Sequence, residues 1–200
     1  MRVLVTPNWA RLGAWVALTY VGFAMCGGNH LQTSGPTVPF DPPDVDASAA
    51  AVGFVFGAVG GAIIASLQWI VLRSLAPRAR GWIPFTALGF GLAHAFNDVV
   101  PYRPLDLPVI VLADGLVIAV LQSIALLHEL PQWFWVPVAA VAWVLGFTVG
   151  IALLGQIETS PLAELLIGHG AIGLVIGVIT GAALAWRIGS QRVSKSAMTS

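Results

Sequence analysis

The chain has 200 residues and is far more apolar than a soluble domain. Hydrophobic residues make up 58% of it and charged residues 9%, against about 25% charged residues in a soluble domain. The net charge is zero, there is one cysteine and the mean hydropathy is +0.88, which excludes a basic nucleic-acid-binding protein, an internally disulfide-bonded secreted domain and a disordered chain.

Long stretches without Asp, Glu, Lys or Arg predict the helices. A helix needs about 20 mostly apolar residues to cross about 30 Å of hydrocarbon, and its backbone groups must bond internally there. We therefore predict an all-α, polytopic membrane helix bundle that forms a single domain (1–200). Its six transmembrane helices are expected at about 9–27, 49–72, 82–100, 108–127, 134–154 and 164–187.

Two polar segments flank the predicted helices. Residues 28–48 contain four prolines and three aspartates, which predicts an extended loop because proline disrupts a helix. This outer loop is either a plain linker or a segment that docks a partner or gates a site. Residues 188–200 are polar and are predicted to form a frayed cytoplasmic tail.

The basic residues indicate an orientation. Only Arg103 falls on one side of the six-helix layout, and the opposite side carries Arg2, Arg11, Arg73, Arg78, Arg80, Arg187, Arg192 and Lys195. Cytoplasmic loops of membrane proteins carry an excess of Lys and Arg. The sequence therefore predicts a multi-pass protein of the cell (inner) membrane with both termini in the cytoplasm, and Arg73, Arg78 and Arg80 are expected to attract anionic lipid headgroups.

Tryptophans follow the same side of the layout. Near the predicted cytoplasmic ends of the helices stand Trp9, Trp15, Trp69, Trp82, Trp133, Trp135 and Trp186, while Trp143 is mid-span. Tryptophan rings are enriched at the headgroup level of membranes. We therefore expect the first seven to anchor the helices at the interface.

The even-numbered helices share a spaced pattern, which indicates an internal repeat. In helices 2, 4 and 6 the polar residues Gln68, Gln122 and Thr180 lie 54 and 58 residues apart. Each follows a stripe on one helix face, made of Gly57, Gly61 and Ala65 in helix 2, Gly115 and Ala119 in helix 4, and His169, Gly173 and Gly177 in helix 6.

Such stripes predict close helix packing in lipid, where small residues let two backbones approach and polar side chains bond across the contact at roughly 0.6–2 kcal/mol each. We expect a quasi-threefold two-helix repeat with the pairs 2–3, 4–5 and 6–1. The even helices are expected in the middle of the bundle and the odd helices at its periphery.

One segment carries a resemblance to other proteins. Residues 68–73 read Gln-Trp-Ile-Val-Leu-Arg and are followed by Trp82, while residues 179–186 read Ile-Thr-Gly-Ala-Ala-Leu-Ala-Trp. Over residues 50–187 the chain resembles a group of uncharacterised multi-pass bacterial membrane proteins with Gly-rich helices and a Gln-Trp-x2-Leu-Arg signature. The second copy departs from it, with Ser123 after Gln122. The resemblance implies a membrane fold and no known reaction.

Polar residues near the outer ends of helices form a candidate pocket. His94, Asn97 and Asp98 share one helix face through their spacing of three and four, and Asp114 and His169 are expected at a similar depth. Ionisable groups within a membrane are costly and are therefore functional candidates. The group could bind a proton or a cation, or hold a metal through His94, Asp98 and His169; alternatively, its members hydrogen-bond within the bundle or meet water.

The chain contains no Gly-x-Ser-x-Gly elbow, His-Glu-x2-His pair or phosphate loop. We therefore expect a non-catalytic structural or accessory component without a cofactor or metal, in contact with the lipid bilayer and with other membrane proteins but not with nucleic acid. The alternatives are a small proton or cation transporter that uses the polar pocket, and thirdly a cofactor-binding subunit or membrane enzyme. Cys26 is either a buried thiol or a lipid-attachment site.

Overall fold

A computed structural model describes the backbone of residues 9–26, 47–99, 107–155 and 160–198, and their side chains except at 47, 99, 161 and 188–198. Across these ranges every segment is a helix or a turn between helices, and none is a strand. The predicted loop at 28–48 lies outside the described residues apart from its last two positions, which begin the second helix.

The described residues form six helices. Five of them are uninterrupted α-helices: α1 (Trp9–Cys26), α2 (Ala47–Leu75), α3 (Trp82–Val99), α4 (Leu107–Ala125) and α5 (Gln132–Leu154). The sixth, α6, consists of three consecutive segments, which are an α-helical turn (Pro161–Ala163), a π-helical segment (Glu164–His169) and an α-helix (Gly170–Met198).

The sequence prediction differs from these helices in two respects. The polar residues at 188–198 continue α6 instead of forming a frayed tail, because no proline interrupts them and a polar helix can extend into water. Four helical stretches are long and apolar enough to cross a membrane: Ser48–Leu75, Leu107–Ala125, Gln132–Leu154 and Glu164–Arg187. The other two helices, α1 and α3, have 18 residues each and include polar residues such as Arg11 and Asp98.

The six helices form a closed ring in chain order. Each helix packs against its neighbours in the sequence, and α6 packs against α1. Neighbours run antiparallel: Thr19 bonds Gln68 while the later Gly22 lies against the earlier Ile64. The bundle therefore has an arginine end, which carries Arg11, Arg73, Arg78, Arg80 and Arg187, and an acidic end, which carries Asp98, Asp114 and Glu164.

Aromatic rings from the odd-numbered helices meet at the centre of the ring. Towards the arginine end, the ring centroid of Trp82 lies 6.0 Å from that of Trp15 and 5.9 Å from that of Trp135. Eight residues further along each odd helix, the rings of Phe23, Phe90 and Trp143 form a triangle with centroid distances of 5.4–6.1 Å.

The expectation that the even helices occupy the middle is therefore wrong. The side chains on the axis come from α1, α3 and α5, and the even helices fill the spaces between them. The prediction failed because lipid is as apolar as a protein core, so hydrophobicity alone does not tell which face of a helix points inwards.

The predicted tryptophan belt also needs correction. Trp15, Trp82 and Trp135 are each 1% exposed and belong to the core. The rings with an outward position at this end are Trp9, Trp133 and Trp186, which are 65–73% exposed. Tryptophan suits both places, since its large apolar ring can fill a core and its amphipathic edge suits an interface.

Glycines allow the closest contacts between backbones. A Cβ atom on Gly57 of α2 would lie 2.5 Å from the carbonyl oxygen of Phe90 in α3. A Cβ atom on Gly173 of α6 would lie 2.7 Å from the carbonyl oxygen of Thr19 in α1. Because real Cβ atoms do not approach that closely, any larger residue at either position must push the two helices apart.

Candidate functional site

Buried hydrogen bonds join neighbouring helices in the half of the bundle nearer the arginine end. The amide Nε2 of Gln68 donates to the hydroxyl of Thr19 at 3.1 Å. That hydroxyl in turn donates to the carbonyl oxygen of Trp15, 2.8 Å away in the preceding turn of α1. The two side chains are almost fully buried. Because bulk water does not reach them, their polar groups need a partner within the protein, which this bond provides.

The same layer contains two further contacts of this kind. Gln122 of α4 donates to the hydroxyl of Thr86 in α3 at 3.3 Å. The indole Nε1 of Trp15 donates to the hydroxyl of Thr180 in α6 at 3.1 Å. The polar layer, defined by Gln68, Gln122 and Thr180 with these partners, therefore connects α2 with α1, α4 with α3, and α6 with α1.

In the polar layer and the core tryptophans beside it, three buried atoms lack a hydrogen-bond partner among the described residues: Oε1 of Gln68, Nε1 of Trp82 and Nε1 of Trp135. A buried polar group without a partner costs roughly 1–3 kcal/mol. The hydrogen-bonding capacity of these side chains is thus only partly used, whereas the indole of Trp15 has a partner in Thr180.

At the acidic end, one pair of the predicted pocket is joined directly. The amide Nδ2 of Asn97 in α3 donates to the carboxylate Oδ2 of Asp114 in α4 at 2.9 Å. The other amide atom, Oδ1 of Asn97, is buried without a partner in the described part of the chain. Both residues are half-buried, so this pair carries an acidic group into the space between α3 and α4.

The other two α3 residues of the predicted pocket lie against α2. The Nδ1 atom of His94 is 2.8 Å from the carbonyl oxygen of Phe90, and the imidazole packs over Gly57. The carboxylate of Asp98 packs against Gly53, one turn earlier in α2. Glycine at these two positions makes room for the polar side chains of α3.

His169 stands apart from this group. It is 5% exposed at the end of the π-helical segment, where its Nδ1 atom is 3.3 Å from the carbonyl oxygen of Glu164. The hydroxyl of Tyr20 in α1 donates to the carbonyl oxygen of Leu166 in the same segment at 2.9 Å. This segment packs between α1 and α5, whereas α3 is not adjacent to α6 in the ring.

The structure therefore brings together Asn97 with Asp114 and keeps His169 on another part of the ring. Across the described ranges, no three His, Cys, Asp or Glu residues form a group that could hold a metal ion. The alternative of a metal bound by His94, Asp98 and His169 is wrong, because His94 and Asp98 lie on α3 while His169 lies on α6, which is not a neighbour of α3.

Sequence reasoning missed the partners Thr19 and Thr86. A signal was present, because α1 and α3 share the spacing Trp-x3-Thr-x2-Gly-Phe, beginning at Trp15 and Trp82, and α5 has Trp-x3-Ala-x2-Ala-Trp, beginning at Trp135. The threonines thus take the same position in two helices, and alanine replaces them in the third.

Comparisons of this chain with protein-family models, curated proteins and solved structures find no match. The case for a function therefore rests on the geometry of the bundle.

Proposed function

We propose that this protein is a six-span integral membrane protein with a closed centre, which acts as a non-catalytic structural or accessory component. The observation that carries the proposal is the set of aromatic rings from α1, α3 and α5 that occupies the axis at two levels. We also propose that the protein belongs to the group of multi-pass bacterial membrane proteins with the Gln-Trp-x2-Leu-Arg signature. Its partners are the lipid bilayer and other membrane proteins.

The outer surface of the bundle supports the membrane location. Every one of the six helices exposes large apolar side chains, for example Met25, Phe56, Leu92, Val109, Val141 and Val178. Soluble proteins rarely expose continuous apolar surface on this scale. Charged side chains instead gather at the two ends, where headgroups and water would meet them. The basic end would face the cytoplasm, so that the protein lies in the inner membrane with both termini inside.

Matching positions in successive helix pairs support the three-unit repeat. The odd helices place Trp15, Trp82 and Trp135, and then Phe23, Phe90 and Trp143, at equivalent positions of the core. The even helices do the same with Ile64, Ile118 and Ile176, and Leu72 and Leu184 match Leu126, the first residue after α4; all six are buried. We therefore propose three copies of an odd–even helix pair around a quasi-threefold axis.

A flux measurement tests the closed centre. The full-length protein, reconstituted into vesicles, is expected to conduct protons and monovalent cations no faster than empty vesicles under the same gradient. A Trp143→Ala variant, which lacks one ring of the inner triangle, is measured beside the wild type to test whether the aromatic rings block flux through the centre. Flux above background in the wild type would overturn the proposal of a closed, non-transporting bundle.

A second candidate function, proton or cation transport, is favoured by the bond between Asn97 and Asp114. A half-buried carboxylate between two helices is a typical element of a proton pathway. On this alternative the wild type shows flux that Asp114→Asn abolishes and that Thr148→Val, an exposed control, retains. Equal background flux in all three proteins removes the alternative.

A further inference from the structure

The interfaces α2–α3, α4–α5 and α6–α1 share one close contact, which fixes the register of their helices. In each, a Cβ atom on a glycine of the even helix would lie 2.7–2.8 Å from the Cβ atom of an inner-triangle aromatic residue: Gly61 opposite Phe90, Gly115 opposite Trp143, and Gly173 opposite Phe23. The two helices of each interface run antiparallel. Residues that follow the glycine therefore lie level with residues that precede the aromatic residue by a similar number.

Two helical turns from this contact, each interface places a polar side chain level with a core tryptophan. The polar residue stands seven positions after the glycine and the tryptophan eight positions before the aromatic residue, which gives the pairs Gln68 with Trp82, Gln122 with Trp135, and Thr180 with Trp15. In the α6–α1 interface the indole and the hydroxyl of this pair meet at 3.1 Å. The shared spacing therefore places Gln68 beside the indole of Trp82.

The α2–α3 interface buries an acceptor and a donor that both lack a partner among the described residues. These atoms are Oε1 of Gln68 and Nε1 of Trp82, and the two residues are 4% and 1% exposed. They are not bonded to each other, because the Gln68 amide is held by Thr19 of α1 through its Nε2 atom. An amide oxygen only accepts and an indole N–H only donates. A ligand that does both would complete the two groups.

We propose that one water molecule is bound between α2 and α3, where it accepts a hydrogen bond from Nε1 of Trp82 and donates one to Oε1 of Gln68. A cation would be repelled by the indole N–H and an anion by the amide oxygen, so the ligand is neutral. A buried water needs about two to four polar partners and room for one molecule. The core cluster that contains Trp82 also contains Ala65, Ala76 and Ala79, whose small side chains leave space beside the ring.

X-ray footprinting of the full-length protein in nanodiscs tests the site. Irradiation splits water into hydroxyl radicals, and a radical that forms from a bound water oxidises the side chains in contact with it. Trp82 and Trp15 are a matched pair, since both are 1% exposed and their rings lie 6.0 Å apart, but the Trp15 indole bonds to Thr180. Mass spectrometry is expected to find a several-fold higher oxidation rate at Trp82 than at Trp15. Equal rates would overturn the proposal.

Variants of Gln68 test whether its amide holds the water. Gln68→Leu removes the acceptor, and Gln68→Thr introduces the short hydroxyl side chain of the α6–α1 interface. Both should lower the oxidation rate of Trp82 to that of Trp15. Gln122→Leu is the matched control in the α4–α5 interface and should leave the Trp82 rate unchanged. An unchanged rate in both Gln68 variants, or an equal fall in Gln122→Leu, would overturn the site. The test involves no flux measurement, so its outcome is independent of the proposed function.

Discussion

The indole Nε1 of Trp15 donates a 3.1 Å hydrogen bond to the hydroxyl of Thr180, and so joins the first helix to the last. The corresponding indoles of Trp82 and Trp135 lack partners among the described residues. At the position of Thr180, α2 and α4 carry Gln68 and Gln122. Their side-chain amides bond to Thr19 of α1 and Thr86 of α3 instead of to an indole. At the equivalent position α6 carries the shorter Thr180, whose hydroxyl accepts the bond that closes the ring.

The first prediction concerns this closing bond. Replacing Thr180 with valine leaves the Trp15 indole buried without an acceptor, and should lower the free energy of unfolding by about 1–3 kcal/mol. Thr148→Val is the matched control, because Thr148 is exposed and bonds only to Val144 in its own helix. Reversible unfolding in mixed micelles measures both. Equal effects of the two substitutions would contradict the role of the bond in closing the ring.

A second prediction concerns the bond between Gln68 and Thr19. The single variants Gln68→Leu and Thr19→Val and their double variant form a thermodynamic cycle. We expect a coupling energy of about 0.6–1.7 kcal/mol, the range found for polar contacts between membrane helices. The same unfolding assay provides the four values. Additive single effects would show that the bond contributes nothing beyond the packing of each side chain.

Two glycines of α2 give a third prediction. Gly57→Ala should lower the free energy of unfolding by about 1–3 kcal/mol, as overpacking does, because the added methyl group meets the backbone of Phe90. Gly60→Ala is the control: its Cβ would lie 3.5 Å from Cys26, an ordinary contact. It should be neutral or raise stability by about 0.5–1 kcal/mol through a lower backbone entropy cost. A larger loss of unfolding free energy in Gly60→Ala than in Gly57→Ala would contradict the close α2–α3 contact.

The fourth prediction separates core tryptophans from surface tryptophans. Trp82→Ala should cost about 3–5 kcal/mol of unfolding free energy, because it leaves a cavity between the rings of Trp15 and Trp135. Trp9→Ala should cost far less, since Trp9 is 68% exposed. Thermal unfolding of the two variants in the same detergent makes the comparison. Similar melting temperatures would contradict the central position of Trp82.

The helices could be predicted from the sequence, whereas their arrangement could not. Apolar stretches without charges mark helices because the length of the hydrocarbon layer sets a simple requirement. Trp9 and Trp15 show that the same reasoning does not predict which side chains are buried. Both are tryptophans at the same end of α1, yet one is exposed and the other is fully buried. Only contacts with α3 and α6 distinguish them, and a linear pattern does not contain those contacts.

The candidate pocket shows the same limit. Helical spacing groups His94 with Asp98, because positions four apart share a face, and both side chains pack against glycines of α2. The meeting of Asn97 with Asp114 depends on α3 and α4 being neighbours, and the separate position of His169 depends on α6 lying across the ring. Depth along a helix follows from the sequence, while lateral position follows from the order of the helices in the bundle.

Chemical labelling of introduced cysteines tests the six-span account most directly, and the α3 crossing above all, since α3 is not among the four longest apolar stretches. In a Cys26→Ser background, single cysteines replace the exposed residues Arg80, Pro108, His128 and Leu162. Intact cells are treated with a membrane-impermeant maleimide. The account predicts labelling at 108 and 162, and labelling at 80 and 128 only after permeabilisation. Equal labelling of positions 80 and 108 in intact cells would contradict it.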